Sequence, residues 1–236
     1  MQRVLLKNAP TSFTKSVSVV GSAIKSGYHH GNGSLEGSLN RMAQDFSCAQ
    51  PTLQGDGFFG TPVSNEAAAA RYTAVKIDPD VKEIVDKHKA LNTTNEEGLP
   101  EMFHVEVPLG IVGGNTGIGI GFKSKILPRS IDQMRKYLEG DKDADLTPTF
   151  MDFGGEVESY GDDPSKWEVI GSYEEDSTRS YKIIRVTELP PIDKYKTFIG
   201  KINRFLDRKN IDSVKVVNNS QDKINLELKT KSDKDY

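Results

Sequence analysis

The hydrophobic pattern changes period along the chain, and this change limits the possible folds more than any other feature. Near the start, Val17, Val20 and Ile24 recur at helical spacing, and so do Leu35, Leu39, Met42 and Phe46. Further on, Trp167, Val169, Gly171 and Tyr173 alternate, as do Tyr181, Ile183 and Arg185 with Ile184 and Val186 between them. Such alternation is the mark of a strand. Tyr195, Phe198, Ile199, Ile202, Phe205 and Leu206 return to an amphipathic helical stripe. Val214 with Val216, then Ile224, Leu226 and Leu228, read as a closing pair of strands. Helices first and strands later make an α+β chain. A length of 236 residues has room for one large or two small domains with a proper core. The charged run from Glu139 to Pro148 is the best boundary, dividing the chain into domains 1–140 and 141–236.

Local signals refine this outline. A helix is expected over Lys15–Ser26, broken by Gly27–Gly31. A second helix follows with Ser34 as its N-cap. Two short helices about a Gly-containing turn fit either a helix-turn-helix, whose second helix enters the major groove, or an ordinary helical hairpin. Pro51–Pro62 reads as a Gly-rich loop, Glu66–Arg71 as a short helical run and Val81–Ala90 as a helix. Leu91–Pro100 is loop-like, Phe103–Val112 strand-like, and five glycines fall between Gly113 and Gly121. Ser130-Ile131-Asp132-Gln133 is a capping-box pattern that opens a helix to about Leu138. Lys229–Tyr236 is expected to fray.

Charge is unevenly spread. The chain carries −3 overall, yet Met1–Lys76 holds seven basic residues (Arg3, Lys7, Lys15, Lys25, Arg41, Arg71, Lys76) against four acidic ones (Glu36, Asp45, Asp56, Glu66), a net of +3. A cationic N-terminal segment is the electrostatic footprint of a polyanion partner. One cysteine, Cys48, excludes an internal disulfide framework and a Cys-rich metal site. No apolar run is long enough to span a bilayer, and no charged-then-apolar leader opens the chain, so a cytoplasmic location is expected.

Four motifs carry chemistry. Tyr28-His29-His30-Gly31, Arg41-Met42-Ala43-Gln44, Asp56-Gly57-Phe58-Phe59-Gly60 and Ala69-Ala70-Arg71-Tyr72-Thr73 follow one another in this order. Together they resemble the DNA-cleaving subunit of type IIA DNA topoisomerases, the gyrase A and topoisomerase IV A family. The Tyr-His-His-Gly wording resembles the phage-type form of that family, the T-even-type bacteriophage medium subunit. The resemblance runs from about Gln2 to at least Pro190. It implies a winged-helix DNA-binding domain followed by an α/β "tower" domain. It also implies that an opening helix before Gln2 and a coiled coil with a second dimer gate after the tower lie outside this chain.

The resemblance assigns roles as well. Tyr72 is the implied nucleophile, forming a transient tyrosyl–DNA link that keeps the energy of the broken phosphodiester. A phenol ionises near pH 10 (about) and attacks poorly at neutral pH unless a cation assists it, and Arg71 is adjacent. His30 matches the second histidine of the family's His-Pro-His-Gly, and Arg3 matches an arginine that contacts the cleaved phosphate. Lys15, His29, Arg41 and Gln44 are expected to meet DNA. Ile118, within Gly117-Ile118-Gly119, matches an isoleucine that wedges between base pairs. From the residues alone, Tyr72 also reads as a buried aromatic, the two histidines as loop residues bonded to backbone, and Ile118 as core. No metal site is expected in this chain. Mg²⁺ is expected from a partner subunit, which also uses ATP, and the other partners are double-stranded DNA and a second copy in a homodimer. The setting is the cytoplasm of a bacterium or a phage-infected host. This chain alone is expected to be inactive. The competing reading is a non-catalytic winged-helix DNA-binding module.

Overall fold

The computed structural model describes residues 2–98, 100–163, 165–191, 195–208, 211–217 and 224–231. They form two compact units, one made of 1–59 with 66–151, the other of 60–65 with 152–236.

The first unit begins with helix α1 (Gln2–Lys7), the short strand β1 (Thr14–Lys15), α2 (Ser16–Lys25) and α3 (Asn32–Ala43). Strands β2 (Leu53–Asp56) and β3 (Ala74–Ile77) follow. The three strands pair antiparallel in the order β1-β3-β2, with Thr14 opposite Val75 and Gln54 opposite Lys76. Helices α2 and α3 around the Ser26–Gly31 turn, with a β2–β3 hairpin beside them, make the expected winged helix. The parts of the β2–β3 connection that belong to this unit, Gly57–Phe59 and Glu66–Thr73, form its wing. Gly27 has φ of 100° and so ends α2 in a conformation that glycine adopts without strain.

The buried side chains explain the helical register. Val19, Val20 and Ala23 of α2 meet Leu35, Leu39 and Met42 of α3. Val4, Leu5 and Leu6 of α1 and Leu53, Val75 and Ile77 of the sheet join the same core. Each fully buried Leu contributes about 1.5–3 kcal/mol. The inward face of α2 is therefore Ser16, Val19, Val20 and Ala23, while Val17 points outward. Ser34 is not the N-cap of α3. Gly31 occupies that position, and the Ser34 N–H donates to the Gly31 carbonyl at 3.2 Å.

The unit continues with α4 (Pro79–Lys87), a 3₁₀ turn at Lys89–Leu91, β4 (Thr93–Thr94) paired with β5 (Pro100–Met102), and α5 (Leu109–Val112). Next come the hairpin β6 (Asn115–Gly119) and β7 (Phe122–Ile126), then α6 (Ile131–Leu138). The capping box is present in full: the Gln133 N–H donates to Ser130 Oγ at 3.1 Å, and the Ser130 N–H donates to Gln133 Oε1 at 2.8 Å. Four expectations differ. Leu91–Pro100 contains β4. Pro51–Pro62 contains β2. Glu66–Arg71 is not helical. Phe103–Val112 is not a strand, because Pro108 removes a ladder donor and becomes the N-cap of α5, letting Val107, Leu109 and Val112 bury together. The division of the chain falls after Met151, beyond the expected boundary at Gly140. Residues 139–151 are laced to the first unit. Arg129 Nε donates to the Leu146 carbonyl, Gln133 Nε2 to the Thr147 carbonyl at 2.9 Å, and the Met151 N–H to the Cys48 carbonyl at 2.8 Å.

The second unit holds the hairpin β8 (Glu156–Ser159) and β9 (Trp167–Ile170), strands β10 (Tyr173–Ser177) and β11 (Tyr181–Val186), helix α7 (Tyr195–Asp207), β12 (Ser213–Val216) and β13 (Leu226–Lys231). Four of these strands form an antiparallel sheet in the order β10-β11-β13-β12. Tyr195, Phe198 and Ile199 of α7 pack on Leu189, Ile224 and Leu226. Lys229–Lys231, expected to fray, lie in β13 opposite Ile183, Lys182 and Tyr181 of β11. Residues 232–236 lie outside the described residues.

Candidate nucleophile and nucleic-acid interface

Tyr72 sits at the end of the wing, two residues before β3. Its side chain is 65% exposed, so it is not a core aromatic. The backbone around it is tightly held. The Tyr72 N–H donates to the Ala69 carbonyl at 2.8 Å, and the Ala68 N–H to the Phe58 carbonyl at 2.9 Å. Ser16 and Val17 begin α2, and the first N–H groups of a helix have no partner within it. Here the Val17 N–H donates to the Ala70 carbonyl at 3.2 Å and the Ser16 N–H to the Thr73 carbonyl at 3.0 Å. Inside this clamp, Thr73 Oγ1 donates to Ser16 Oγ at 2.8 Å, with both residues fully buried. The two carbonyls that accept from α2 flank Tyr72 in sequence. The segment is therefore fixed on both sides while the phenol stands in solvent. On the other side of the loop Gly57, with φ of 100°, passes under the Tyr72 carbonyl, where a Cβ would stand 3.1 Å from that oxygen.

Arg71 is exposed and its guanidinium carbon lies 4.9 Å from the centre of the Tyr72 ring. This places a fixed positive charge at the face of the phenol, within the range of a cation–π contact. Cys48 offers no rival nucleophile, since burial, and then the charge of Asp45, push its thiol up to about 12.

The other expected site residues are placed as follows. Lys15 is exposed in β1, one residue before the Ser16 clamp, and Arg41 is exposed on the last turn of α3. His30 is exposed, with its ring edge-on to Tyr28 at 5.3 Å. His29 Nε2 lies 3.9 Å from Glu97 Oε2, and Arg3 Nη1 donates to the Glu101 carbonyl at 2.8 Å. Arg3 and His29 thus face the segment that holds β4 and β5. Among the described residues no hydrogen bond or ion pair joins Arg3, His29 or His30 to Tyr72. Gln44 is a correction: it is 8% exposed, lies just past the end of α3, and its Nε2 donates to the Phe59 carbonyl at 2.8 Å. It anchors the wing rather than meeting a ligand. Ile118 is 84% exposed on the β6–β7 hairpin, so it is not core. The Ser16–Thr73 hydroxyl pair has no signature in sequence, because it joins residues far apart in the chain.

No three His, Cys, Asp or Glu side chains converge as metal ligands among the described residues. Several carboxylates serve local turns instead. Asp78 accepts from the N–H groups of Asp80 and Val81 at the start of α4, and from Gln50 and Gln54.

Comparison with known proteins places this geometry in context. A family model that describes the A subunits of DNA gyrase and topoisomerase IV matches residues 1–236. The chain is 28% identical to the DNA topoisomerase medium subunit of Enterobacteria phage T4 over 211 residues, covering 87% of this chain and 46% of that protein. It is 34% identical to the DNA gyrase A protein of Campylobacter jejuni over 145 residues, covering 58% of this chain and 17% of that protein. Among solved structures, the DNA-binding, cleavage and re-ligation domain of Plasmodium falciparum topoisomerase II superposes with a TM-score of 0.82 at 27% identity, over 97% of this chain and 33% of that one. The chain therefore spans less than half the length of these relatives.

Proposed function

The chain belongs to the DNA gyrase A and topoisomerase IV A family, and from this premise we propose that it is the part of a type IIA topoisomerase that cleaves and rejoins DNA, with Tyr72 as the nucleophile. The observation that carries the reading is the exposed phenol of Tyr72, held beneath Arg71 on a loop clamped to the first turn of α2. The first unit is the winged-helix cleavage domain and the second the tower.

In the proposed step the Tyr72 oxygen attacks a backbone phosphorus and its proton passes to solvent. A phosphorus–oxygen bond forms to the tyrosine, and the bond from phosphorus to the deoxyribose oxygen breaks. The departing sugar oxygen takes a proton, a task assigned to His30. Attack by that sugar hydroxyl on the phosphotyrosine reverses the step. The bond energy is retained throughout, so resealing needs no ATP. Arg71 stabilises the charge that gathers on the phosphate, and Arg3 contacts the same phosphate once its hold on Glu101 is exchanged. Lys15, His29 and Arg41 contact DNA, and Ile118 wedges between base pairs. Mg²⁺ is assigned to a partner subunit that also uses ATP, a reading supported by the lack of any three converging His, Cys, Asp or Glu side chains among the described residues. The assembled enzyme is a homodimer of this protein with that partner in the cytoplasm, and this chain alone is inactive. No described helix is long and apolar enough to cross a membrane.

One observation favours the second reading, a non-catalytic DNA-binding module: Arg3 and His29 engage Glu101 and Glu97 rather than Tyr72. One experiment separates the two. Reconstituted with its partner subunit, the protein should form a covalent DNA link that Tyr72→Phe abolishes, while duplex binding changes little. An adduct that survives in the Phe variant assigns the nucleophile elsewhere. No adduct from either protein supports the binding module.

A further inference from the structure

The β6–β7 hairpin is exposed on both faces. A two-stranded ribbon that buries nothing is marginal alone, which makes its side chains informative. Its two faces differ. On one, Phe122 lies over Gly119, where a Cβ would stand 3.0 Å from the ring, and Ser124 lies over Gly117, where a Cβ would stand 2.8 Å from Oγ. On that face the cross-strand side chains cover the two glycines, while Phe122 itself stays exposed. On the other face Ile118 stands directly opposite Lys123, and Thr116 opposite Lys125. Facing residues of an antiparallel pair share a side. One side of the ribbon therefore presents an exposed isoleucine beside two exposed lysines.

The charge setting is equally one-sided. From Val107 to Ile131 the chain has no acidic residue, although it carries a net negative charge overall. Lys123 and Lys125 are two residues apart on one strand, so their Cα atoms are about 7 Å apart. Each flexible four-carbon stem can then reach a separate phosphate.

Resting on the DNA-cleavage reading above, we propose that Lys123 and Lys125 are phosphate anchors that seat this face of the hairpin on duplex DNA and hold Ile118 at the step it opens. An apolar wedge alone has to overcome the few kcal/mol lost on unstacking a base step. Two cations on the same face offset that cost by releasing counterions from the duplex backbone. The occupant is a duplex because the face combines one wedge-sized apolar side chain with flanking positive charge.

The test is the salt dependence of duplex binding by the full chain, read by fluorescence anisotropy. Each phosphate contact adds about 0.9 to the slope of log affinity against log salt. Lys123→Gln should lower the slope by about 0.9, and the Lys123→Gln/Lys125→Gln pair by about 1.8. Lys142→Gln, which removes an exposed lysine outside the hairpin, should leave the slope unchanged. A folded double variant with the wild-type slope would overturn this inference alone, and so would an equal loss from Lys142→Gln. Lysines that matter for binding anionic phosphatidylserine vesicles but not duplex would overturn it too. A wild-type chain that binds no duplex would overturn the parent reading and this inference with it.

Discussion

Tyr72 is a side chain whose neighbours matter more than its own identity. An exposed phenol on a loose loop would sample many positions, and attack on phosphorus needs one. The loop here is fixed by spare donors of the first turn of α2 and by the buried Ser16–Thr73 hydroxyl pair. Thr73→Val keeps the shape but removes one hydroxyl, leaving the other buried without its partner. That should cost about 1–3 kcal/mol in denaturant unfolding and lower the yield of covalent DNA link in the reconstituted enzyme. Thr73→Ser should recover most of both. Unchanged stability in the Val variant would mean that the pair does not hold the loop. The Arg71-Tyr72 motif is legible in sequence because family wording marks it, whereas this clamp is not, because it joins residues 57 positions apart. Gln44 misleads for a related reason. A polar residue at a helix end looks solvent-facing in sequence, and only the approach of the Phe59 carbonyl shows that it is buried.

At the scale of elements, legibility follows period and capping chemistry. Helices α2, α3, α4, α6 and α7 and strands β9, β11, β12 and β13 are readable because each presents a repeating face or a cap signal, whereas the single run read over Trp167–Tyr173 is two strands, β9 and β10, and the exposed residues of β10 repeat no apolar face. The Glu66–Arg71 expectation fails because tertiary partners take its backbone groups: the Ala70 carbonyl accepts from the Val17 N–H of α2, and the Ala68 N–H donates to the Phe58 carbonyl. Two capping serines give a direct comparison. Ser130→Ala removes half of a capping box and should cost about 0.5–2 kcal/mol, a fall of a few degrees in the thermal midpoint. Ser34→Ala should change little, since Ser34 lies inside α3 and caps nothing. Equal effects from the two would contradict the assigned helix starts. The β6–β7 hairpin shows in sequence only as a run of glycines. Its exposed Ile118 leads to a further expectation: Ile118→Ala should reduce DNA bending in a fluorescence bend assay on the reconstituted enzyme, because a methyl cannot hold a base step open. Unchanged bending would remove the wedge role.

At the scale of the whole molecule, the question is what this chain can do without partners. Phosphoryl transfer by a tyrosine needs charge stabilisation at both the phosphate and the departing sugar oxygen. On the proposed reading Arg71 supplies some of it, and Mg²⁺ is the usual source of the rest. A Mg²⁺ site demands carboxylates in near-octahedral geometry. Several acidic groups among the described residues serve local structure. Asp78 caps α4, Asp141 accepts from the Asp143 N–H, and Asp145 accepts from Thr147. Asp163 is held down to about 2 by the Ser165 hydroxyl and N–H, and then by Lys166. Glu97 faces His29. On the proposed reading, the +3 of Met1–Lys76 gives weak, salt-sensitive attraction to DNA rather than chemistry. Hence the purified chain should bind duplex weakly and show no Mg²⁺-dependent cleavage of supercoiled plasmid. Adding the metal-binding partner subunit should restore cleavage, which Tyr72→Phe then removes. The decisive observation is nicking by the purified chain in Mg²⁺ that disappears on Tyr72→Phe. It would show that the metal is held by residues of this chain, and the assignment of Mg²⁺ to a partner would fall.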